Sequence, residues 1–269
     1  MSQLLAIDIG NTTIAFGLFK GKRLVLNFKL PTHNKSREFY KKSILRALGK
    51  KKIDASTSLS INPERRSAFK SAGVEWVDKI IICSVVPEKT NVLKNLLAGI
   101  FKKKVSVVGK NVKVPIINKY KNPKQVGQDR LVNAYAGLKL FGKGLILVDF
   151  GTAVTFDVVS KNKEYLGGLI FPGLDLSLDA LYYKTALLPR IKIRKPKNLI
   201  GKDTISSMNN GIVFGMAGVC DEVIERLLRK FKGYKVIATG GNVNFIKQYS
   251  RRVKIVRPNL TLLGLRMLG

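Results

Sequence analysis

Histidine and cysteine are scarce in this chain. Its 269 residues include one histidine, His33, and two cysteines, Cys83 and Cys220, which are far apart in the sequence. A disulfide framework and a zinc site built from cysteines are therefore excluded. A serine or cysteine nucleophile activated by histidine would depend on His33, which lies in a loop-like stretch, so we set those mechanisms aside. Both cysteines lie in apolar stretches, where we expect buried, inert and reduced thiols.

Long apolar runs are missing as well. No run approaches the ~20 residues needed to span a bilayer. The apolar stretch near the N-terminus has no basic region before it and is interrupted by Asp8, unlike a signal peptide. We therefore expect a cytoplasmic protein with no membrane partner.

Acidic residues are also scarce in this chain. The chain has 17 Asp and Glu against 49 Lys and Arg, a formal net charge of +32. Such an excess attracts polyanions, but no known nucleic-acid-reading motif accompanies it, so we expect at most non-specific association with nucleic acid. Acidic residues are nevertheless present at positions 8, 129, 149 and 157. In a chain this poor in acids, those positions are candidates for function.

One pattern occurs twice, about half a chain apart. An apolar strand, an Asp-x-Gly turn and a second strand begin near Leu4 and again near Leu145, and the two aspartates, Asp8 and Asp149, are 149 − 8 = 141 residues apart. A later apolar strand follows in each half, at 80–86 and 235–238. We therefore predict a duplicated α/β unit with domains at 1–117 and 118–269, joined by the Pro- and Lys-rich stretch 115–124. The spacing of apolar residues predicts helices over 36–48, 92–101 and 129–140.

The two Asp-x-Gly turns are suited to binding phosphate across a shared cleft. Glycine lets backbone N–H groups approach phosphate oxygens, while an aspartate there is useful if it holds a cation that bridges the phosphates. The alternative is that each aspartate only stabilises its own turn. Because there are two such turns, and because Thr239-Gly240-Gly241 follows the later strand of the second half, we favour the functional interpretation.

Two further clusters have both a structural and a functional interpretation. Asp129 stands at the start of a predicted helix, where it would cap the helix or, beside Arg130, act as a base toward a substrate hydroxyl. The glycine-rich stretch 167–173 is either a bent strand that ends in a turn or one wall of the cleft near the second phosphate turn.

Taken in order, these motifs resemble the type III pantothenate kinases, and the resemblance runs from residue 8 to the end of the chain. Each motif alone is weak, whereas six in the family's order are specific. They are Asp8-x-Gly10-Asn11-Thr12, Gly127-x-Asp129-Arg130, Asp149-x-Gly151-Thr152-Ala153-x-Thr155-x-Asp157, Gly167-Gly168-x-Ile170-x-Pro172-Gly173, Thr185-Ala186-x-Leu188-Pro189 and Thr239-Gly240-Gly241.

The resemblance implies a fold, an activity and partners. The fold would be two duplicated ribonuclease-H-like (actin-like ATPase) domains facing a nucleotide cleft. The activity would be ATP-dependent phosphorylation of pantothenate to 4'-phosphopantothenate, the first step of coenzyme A biosynthesis, by a homodimer. The implied cofactors are ATP, Mg²⁺ and a monovalent cation, K⁺ or NH₄⁺.

The resemblance also implies roles for individual residues. Asp129 would be the general base and Asp149 the ligand of the monovalent cation, while Asp8 would hold Mg²⁺, directly or through water. ATP and its phosphates would be bound by Asp8, Ile9, Gly10, Asn11, Thr12, Thr13, Ile14, Ala15, Thr152, Gly240 and Gly241. Pantothenate would be bound by Tyr120, Gly127, Gln128, Asp129, Arg130 and, from across the dimer, Thr185.

Two alternatives stay open at this point. One is a nucleic-acid-associated transcriptional accessory protein on the same fold, which the basic composition favours. The other is a kinase of the same superfamily that acts on another small hydroxy acid or polyol. Intact Asp129 and Asp149 favour a kinase over the accessory protein, and the sequence leaves open whether Asp157 is functional or structural.

Overall fold

The computed structural model describes residues 2–54 and 77–269. The chain divides into two compact units. The first consists of Met1–Val114, Gly127–Val132 and Thr261–Gly269, and the second of Pro115–Val126 and Asn133–Leu260. Two short segments from the later part of the chain thus belong to the first unit. The domain boundary between residues 117 and 118 stays a prediction, and the packing differs from it at these segments.

The first unit is built on a five-stranded sheet. Its strands lie in the order β3-β2-β1-β4-β5, with β1–β2 and β2–β3 antiparallel and β1–β4 and β4–β5 parallel. The strands are β1 (Gln3–Ile9), β2 (Thr13–Lys20), β3 (Arg23–Pro31), β4 (Lys79–Ser84) and β5 (Val105–Val107), and the first helices are α1 (Arg37–Asp54) and α2 (Pro87–Phe101).

The central strands of the first unit consist of unbroken apolar runs because they lie in its core. Leu5, Ile7 and Ile82 of the central strands are fully buried, together with Tyr40 of α1 and Leu93 of α2. A strand that is buried on both faces needs an unbroken apolar run, because neither side of it meets water. The sequence pattern of β1 and β4 is of this kind.

The second unit repeats the sheet of the first. Its strands lie in the order β11-β10-β7-β8-β9-β6, in which β9-β8-β7-β10-β11 matches β3-β2-β1-β4-β5 in both order and direction. The strands are β6 (Ile117–Asn118), β7 (Leu145–Phe150), β8 (Ala153–Val159), β9 (Glu164–Pro172), β10 (Lys235–Thr239) and β11 (Ile255–Val256). The predicted duplication of one α/β unit is confirmed.

The helices of the second half complete the chain. They are α3 (Gln128–Phe141), α4 (Leu174–Lys184), α5 (Thr204–Lys230), α6 (Val243–Ile246) and α7 (Leu260–Leu268). The core of the second unit contains Phe150 and Phe156 of the sheet and Cys220 and Ile224 of α5. Both cysteines are buried free thiols, as expected.

Several predicted bounds need correction. Asp8 and Asp149 lie inside β1 and β7 rather than in the turns, because their backbones still pair with Ala15 and Thr155 of the neighbouring strands. The stretch 115–124 is not a bare linker, since β6 pairs in parallel with β9. No helix among the described residues is both long and apolar enough to cross a membrane.

Candidate active site

The loop between β1 and β2 carries the first group of predicted phosphate ligands. Gly10, Asn11 and Thr12 connect the strands, and the N–H of Gly10 donates to the carbonyl of Thr13 at 3.0 Å. Asn11, Thr12 and Thr13 are exposed, whereas Ile9 and Ile14 on either side are buried. The strands therefore fix both ends of a short polar loop, while its middle stays accessible to a ligand.

Gly127 and Asp129 shape the start of α3. A side chain at Gly127 would collide with Oδ1 of Asp129, so only glycine allows the carboxylate to fold back there. That oxygen accepts the N–H of the next residue, Arg130, at 2.9 Å. An N-cap side chain accepts instead from a residue two or three positions further along. Capping therefore does not account for this carboxylate.

Asp129 has the electrostatic environment of a base. It is half-buried, and burial raises the pKa of its carboxyl, while the N–H and the positive charge of Arg130 oppose that rise without cancelling it. A carboxylate with a raised pKa takes up a proton more readily than a solvated one. Gln128, beside it, packs against Gly109, where a side chain would come within 2.9 Å of Cδ of Gln128.

Asp8 and Asp129 both lie near the buried thiol of Cys83. Cys83 is paired with Asp8 in the parallel ladder between β1 and β4. Burial, followed by the negative charges of Asp8 and Asp129, raises the pKa of this thiol well above its usual value. The first unit thus brings together the predicted magnesium ligand and the predicted base, and Cys83 itself stays protonated and inert.

In the second unit, Asp149 lies directly against the Thr239-Gly240-Gly241 turn. Thr239 pairs with Asp149 in the ladder between β10 and β7. A Cβ atom at Gly240 would lie 2.5 Å from Oδ1 of Asp149, and the φ of Gly240 is +98°. Glycine is required there for both reasons, since the turn packs closely against this carboxylate and against the backbone of Phe150.

The glycine-rich β9 strand borders the second Asp-x-Gly turn as predicted. The N–H of Gly173 donates to the carbonyl of Thr152 at 2.9 Å, and a side chain at Gly173 would collide with that carbonyl. At the other end of the motif, Gly167 has a φ of +117° and lies beneath the ring of Tyr120, since a Cβ atom at Gly167 would lie 3.3 Å from Cδ2 of that ring. The structural interpretation of the motif as a strand is correct, and its predicted closeness to the second turn is confirmed.

Thr185 lies at the C-terminal end of α4. It follows α4, is exposed, and its hydroxyl donates to the carbonyl of Leu181 at 2.8 Å. This bond closes the end of α4. The role of Thr185 at the site of a partner subunit stays a prediction.

Two polar residues near these motifs, Asn133 and Tyr165, escaped the sequence-based predictions. Asn133 of α3 is buried, and its Nδ2 donates to Oδ2 of Asp149 at 2.8 Å. Buried Asp157 accepts from the Tyr165 hydroxyl at 2.8 Å and from Thr155 Oγ1 at 3.0 Å. The sequence could have indicated Asn133, because it is a polar residue among apolar residues of a predicted helix. It could not have indicated the partner of Asp157, because that contact depends on the register between β8 and β9.

The donor set around the aspartates fits hard cations better than transition metals. Among the described residues there is no cluster of three or more His, Cys, Asp or Glu that could hold a metal ion. Single carboxylates surrounded by backbone and hydroxyl oxygens are the ligands used for Mg²⁺ bound to phosphates. Asp149, whose Oδ2 accepts a hydrogen bond from Nδ2 of Asn133, is a single carboxylate of this kind.

The duplicated sheets and glycine turns define an α/β protein of two ribonuclease-H-like units, and sequence comparison gives its family. The family model described as Type III pantothenate kinase matches residues 4–226. Curated proteins named Type III pantothenate kinase from Geobacter sulfurreducens and Citrifermentans bemidjiense are each 40% identical, over 267 and 269 residues, covering 99% of this chain and 98% of each relative. The chain belongs to the type III pantothenate kinase family.

Solved structures share the fold at low sequence identity. A conserved Campylobacter jejuni protein described as of the Baf family of transcriptional activators has a TM-score of 0.55 and 19% identity, covering 98% of this chain and 96% of that one. The (R)-2-hydroxyglutaryl-CoA dehydratase component A of Acidaminococcus fermentans has a TM-score of 0.51 and 14% identity, covering 100% and 96%. At these identities the likeness concerns the fold alone.

Proposed function

We propose that this protein transfers the γ-phosphoryl group of ATP to the terminal hydroxyl of pantothenate, giving 4'-phosphopantothenate and ADP, the first step of coenzyme A biosynthesis. Membership of the type III pantothenate kinase family supports the substrate pair. The observation that carries the chemistry is the environment of Asp129, a half-buried carboxylate with a raised pKa at the start of a helix.

Asp129 acts as the general base in this proposal. Its carboxylate accepts the proton of the pantothenate hydroxyl as that oxygen forms a bond to the γ-phosphorus, and the bond from phosphorus to the β,γ-bridging oxygen breaks to release ADP. Phosphoryl transfer needs positioning and charge stabilisation more than covalent help from the protein. A positioned base contributes typically ~10²–10⁴-fold to the rate.

The loop from Asp8 to Ala15 is assigned to the ATP phosphates, together with Thr152, Gly240 and Gly241. An exposed Gly-Asn-Thr loop with fixed ends offers backbone and hydroxyl donors to phosphate oxygens. Mg²⁺, when bound, neutralises developing charge on the phosphates, and Asp8 is the residue we assign to hold it, directly or through water.

Asp149 is assigned to a monovalent cation, K⁺ or NH₄⁺. The support is its single carboxylate, which is held by the bond from Asn133 Nδ2 to Oδ2 and lies close to the turn at Gly240. Oxygen ligands of this kind suit K⁺. The ion would keep a positive charge close to the nucleotide turn.

Pantothenate is assigned to Gly127, Gln128, Asp129 and Arg130, to Tyr120, and to Thr185 of a second subunit in a homodimer. The support for the homodimer is the exposure of large apolar side chains on both sides of Thr185 in the chain, Tyr183 and Leu187 among them. A cytoplasmic location accompanies the activity, in keeping with two buried free thiols in a reducing compartment.

The test is a coupled ADP-release assay with purified protein, pantothenate, ATP, Mg²⁺ and K⁺. We expect turnover by the wild type and a loss of ~10²–10⁴-fold in kcat for Asp129→Asn, because asparagine cannot take up the proton. Direct ATP binding is the control, and it should be unchanged in the variant. Near wild-type turnover by Asp129→Asn would contradict the assignment of the base.

The same assay separates the alternative kinase from the proposed one. Pantothenate is compared with a panel of other small hydroxy acids and polyols at equal concentration. A higher kcat/KM for any other compound of the panel would identify that compound, instead of pantothenate, as the substrate. The assignment of Asp129 as the base would stand.

A further inference from the structure

Thr32 makes two hydrogen bonds to the loop assigned to the ATP phosphates. Its hydroxyl donates to the carbonyl of Gly10 at 2.7 Å, and its backbone N–H donates to the carbonyl of Thr12 at 3.0 Å. Thr32 follows directly after β3, and its side chain is fully buried. One buried residue thus holds two of the carbonyl groups of this three-residue loop.

Tyr40 holds Thr32 in turn. The Tyr40 hydroxyl of α1 lies 2.8 Å from the carbonyl of Thr32 and 3.0 Å from that of Pro31, and its ring is fully buried. Burial also raises the pKa of Tyr40, so the hydroxyl keeps the proton that it donates. A chain of contacts therefore runs from α1 through Tyr40 and Thr32 to the loop.

These bonds determine which way the Gly10–Asn11 peptide faces. In a planar trans peptide the carbonyl and the following N–H point in opposite directions. Because the carbonyl of Gly10 points at the Thr32 hydroxyl, the N–H of Asn11 points away from Thr32. If that peptide rotated, a carbonyl oxygen would replace the N–H, and its partial negative charge would repel a phosphate.

We propose that Thr32, clamped by Tyr40, is a positioning residue that orients the phosphate loop so that its N–H groups rather than its carbonyls meet the nucleotide. The proposal rests on the assignment of Gly10–Thr12 to the ATP phosphates. The proposal requires the hydroxyl group of Thr32 and not only the volume of its side chain. It predicts an effect on ATP that is separate from any effect on pantothenate.

The decisive comparison is between Thr32→Val, which keeps the shape without the hydroxyl, and Thr32→Ser, which keeps the hydroxyl. We expect Thr32→Val to weaken ATP binding and raise its KM roughly 5- to 30-fold, because the partly buried carbonyl of Gly10 loses its donor. Thr32→Ser should stay within about 3-fold of the wild type, and Tyr40→Phe should fall between the two. The KM for pantothenate should change by less than about 3-fold in all three.

Thr90→Val is the matched control. Thr90 is also a buried threonine, and its hydroxyl donates to Oγ of Ser84 at 2.7 Å and lies 2.9 Å from the carbonyl of Val86, without bonding the phosphate loop. It should lower thermal stability as Thr32→Val does, yet leave ATP binding nearly unchanged. Equal loss of ATP binding in both valine variants would overturn the proposal, since the effect would then be a general loss of stability.

Hydrogen exchange of the segment 8–16 without nucleotide tests the positioning independently of ATP. Thr32→Val should exchange faster there than the wild type and Thr32→Ser. Unchanged exchange together with unchanged ATP affinity would overturn the proposal. If the wild type bound no ATP, yet exchange rose in Thr32→Val alone, the functional assignment of the loop would be wrong, and the role of Thr32 in holding the loop would stand.

Discussion

In its proposed role as the base, Asp129 would combine a catalytic benefit with a cost in stability. Its carboxylate is partly withdrawn from water, and burial raises its pKa despite the neighbouring Arg130. Withdrawal from water makes the group a better base, and it also makes its ionised form less favourable in the folded protein than in the unfolded chain. Functional sites commonly retain such locally unfavourable arrangements.

This arrangement gives a pH dependence with a defined sign. Because the pKa of Asp129 is higher when folded than its ordinary value of 3.8, the folded state binds more protons, and stability is lost as the pH rises through the folded pKa. Asp129→Asn should therefore melt at a higher temperature than the wild type at pH 7–8, and the difference should shrink as the pH falls through that pKa. Differential scanning calorimetry across this range measures it.

Catalytic activity should depend on pH in the opposite direction to stability, and it should fall as the solution becomes more acidic. The base must be ionised, so kcat/KM should fall as the pH drops through the raised pKa, at a pH above that of an ordinary aspartate.

A lower melting temperature for Asp129→Asn at every pH would show that the carboxylate is net stabilising and would contradict the interpretation of its stability cost.

Candidate site residues that stand in a motif could be named from the sequence, whereas the residues that hold them in place could not. Asp8, Asp129 and Asp149 could be singled out because few acids occur in the chain and each stands close to a glycine. Thr32 and Asn133 act through partners 22 and 16 residues away. Spacing along the chain does not reveal such contacts, because they arise only when sheet and helix pack.

At the scale of elements, strands were easier to predict than helix ends. The buried strands β1, β4, β7 and β10 appear as apolar runs, and all four were predicted. Helix α2, however, begins at Pro87 rather than near residue 92, because proline suits the first position of a helix as well as the end of a strand. Helix α1 extends to Asp54 beyond the predicted residue 48, through a Lys-rich end with no apolar stripe.

One stretch of the second unit exposes unusually many large apolar side chains. Nine of the thirteen exposed large hydrophobics among the described residues lie between residues 169 and 205, including Leu187, which is 91% exposed, and Ile200, which is 77% exposed. The stretch includes α4 and Thr185. Soluble monomers rarely expose a large contiguous apolar patch, and clustered exposure indicates an interface. The sequence alone did not reveal this surface, since apolar residues there could equally have been core.

We predict that this surface forms the homodimer. Light scattering should give about twice the chain mass of 29.8 kDa at micromolar concentration. Leu187→Lys and Ile200→Lys, which place charges in the apolar surface, should give monomers and reduce turnover. Ile255→Lys is the matched control, since Ile255 is exposed but lies outside the stretch, and it should stay dimeric. A monomeric wild type, or equal dissociation by the control, would refute the prediction.

At the scale of the whole molecule, the net charge of +32 has no assigned role in the proposed phosphoryl transfer. Basic residues occur throughout both units rather than in one motif, and the ion pairs of the described residues include exposed ones such as Arg226 with Glu222. A pervasive positive field raises the local concentration of any polyanion without selecting among sequences. The likeness to the Campylobacter jejuni protein concerns fold alone and adds no sequence-reading element.

We therefore predict that nucleic-acid binding is non-specific. Non-specific affinity arises from the release of counterions from phosphates, so it should fall roughly 10³-fold or more between about 50 and 200 mM salt. Competition between a labelled duplex and an excess of random duplex, measured by fluorescence anisotropy at both salt concentrations, tests this. A specific reader would keep a preference of ~10³-fold or more for one sequence at the higher salt. Such a preference in duplexes selected from a random pool would support the accessory-protein alternative, because a charged surface without base contacts cannot produce it.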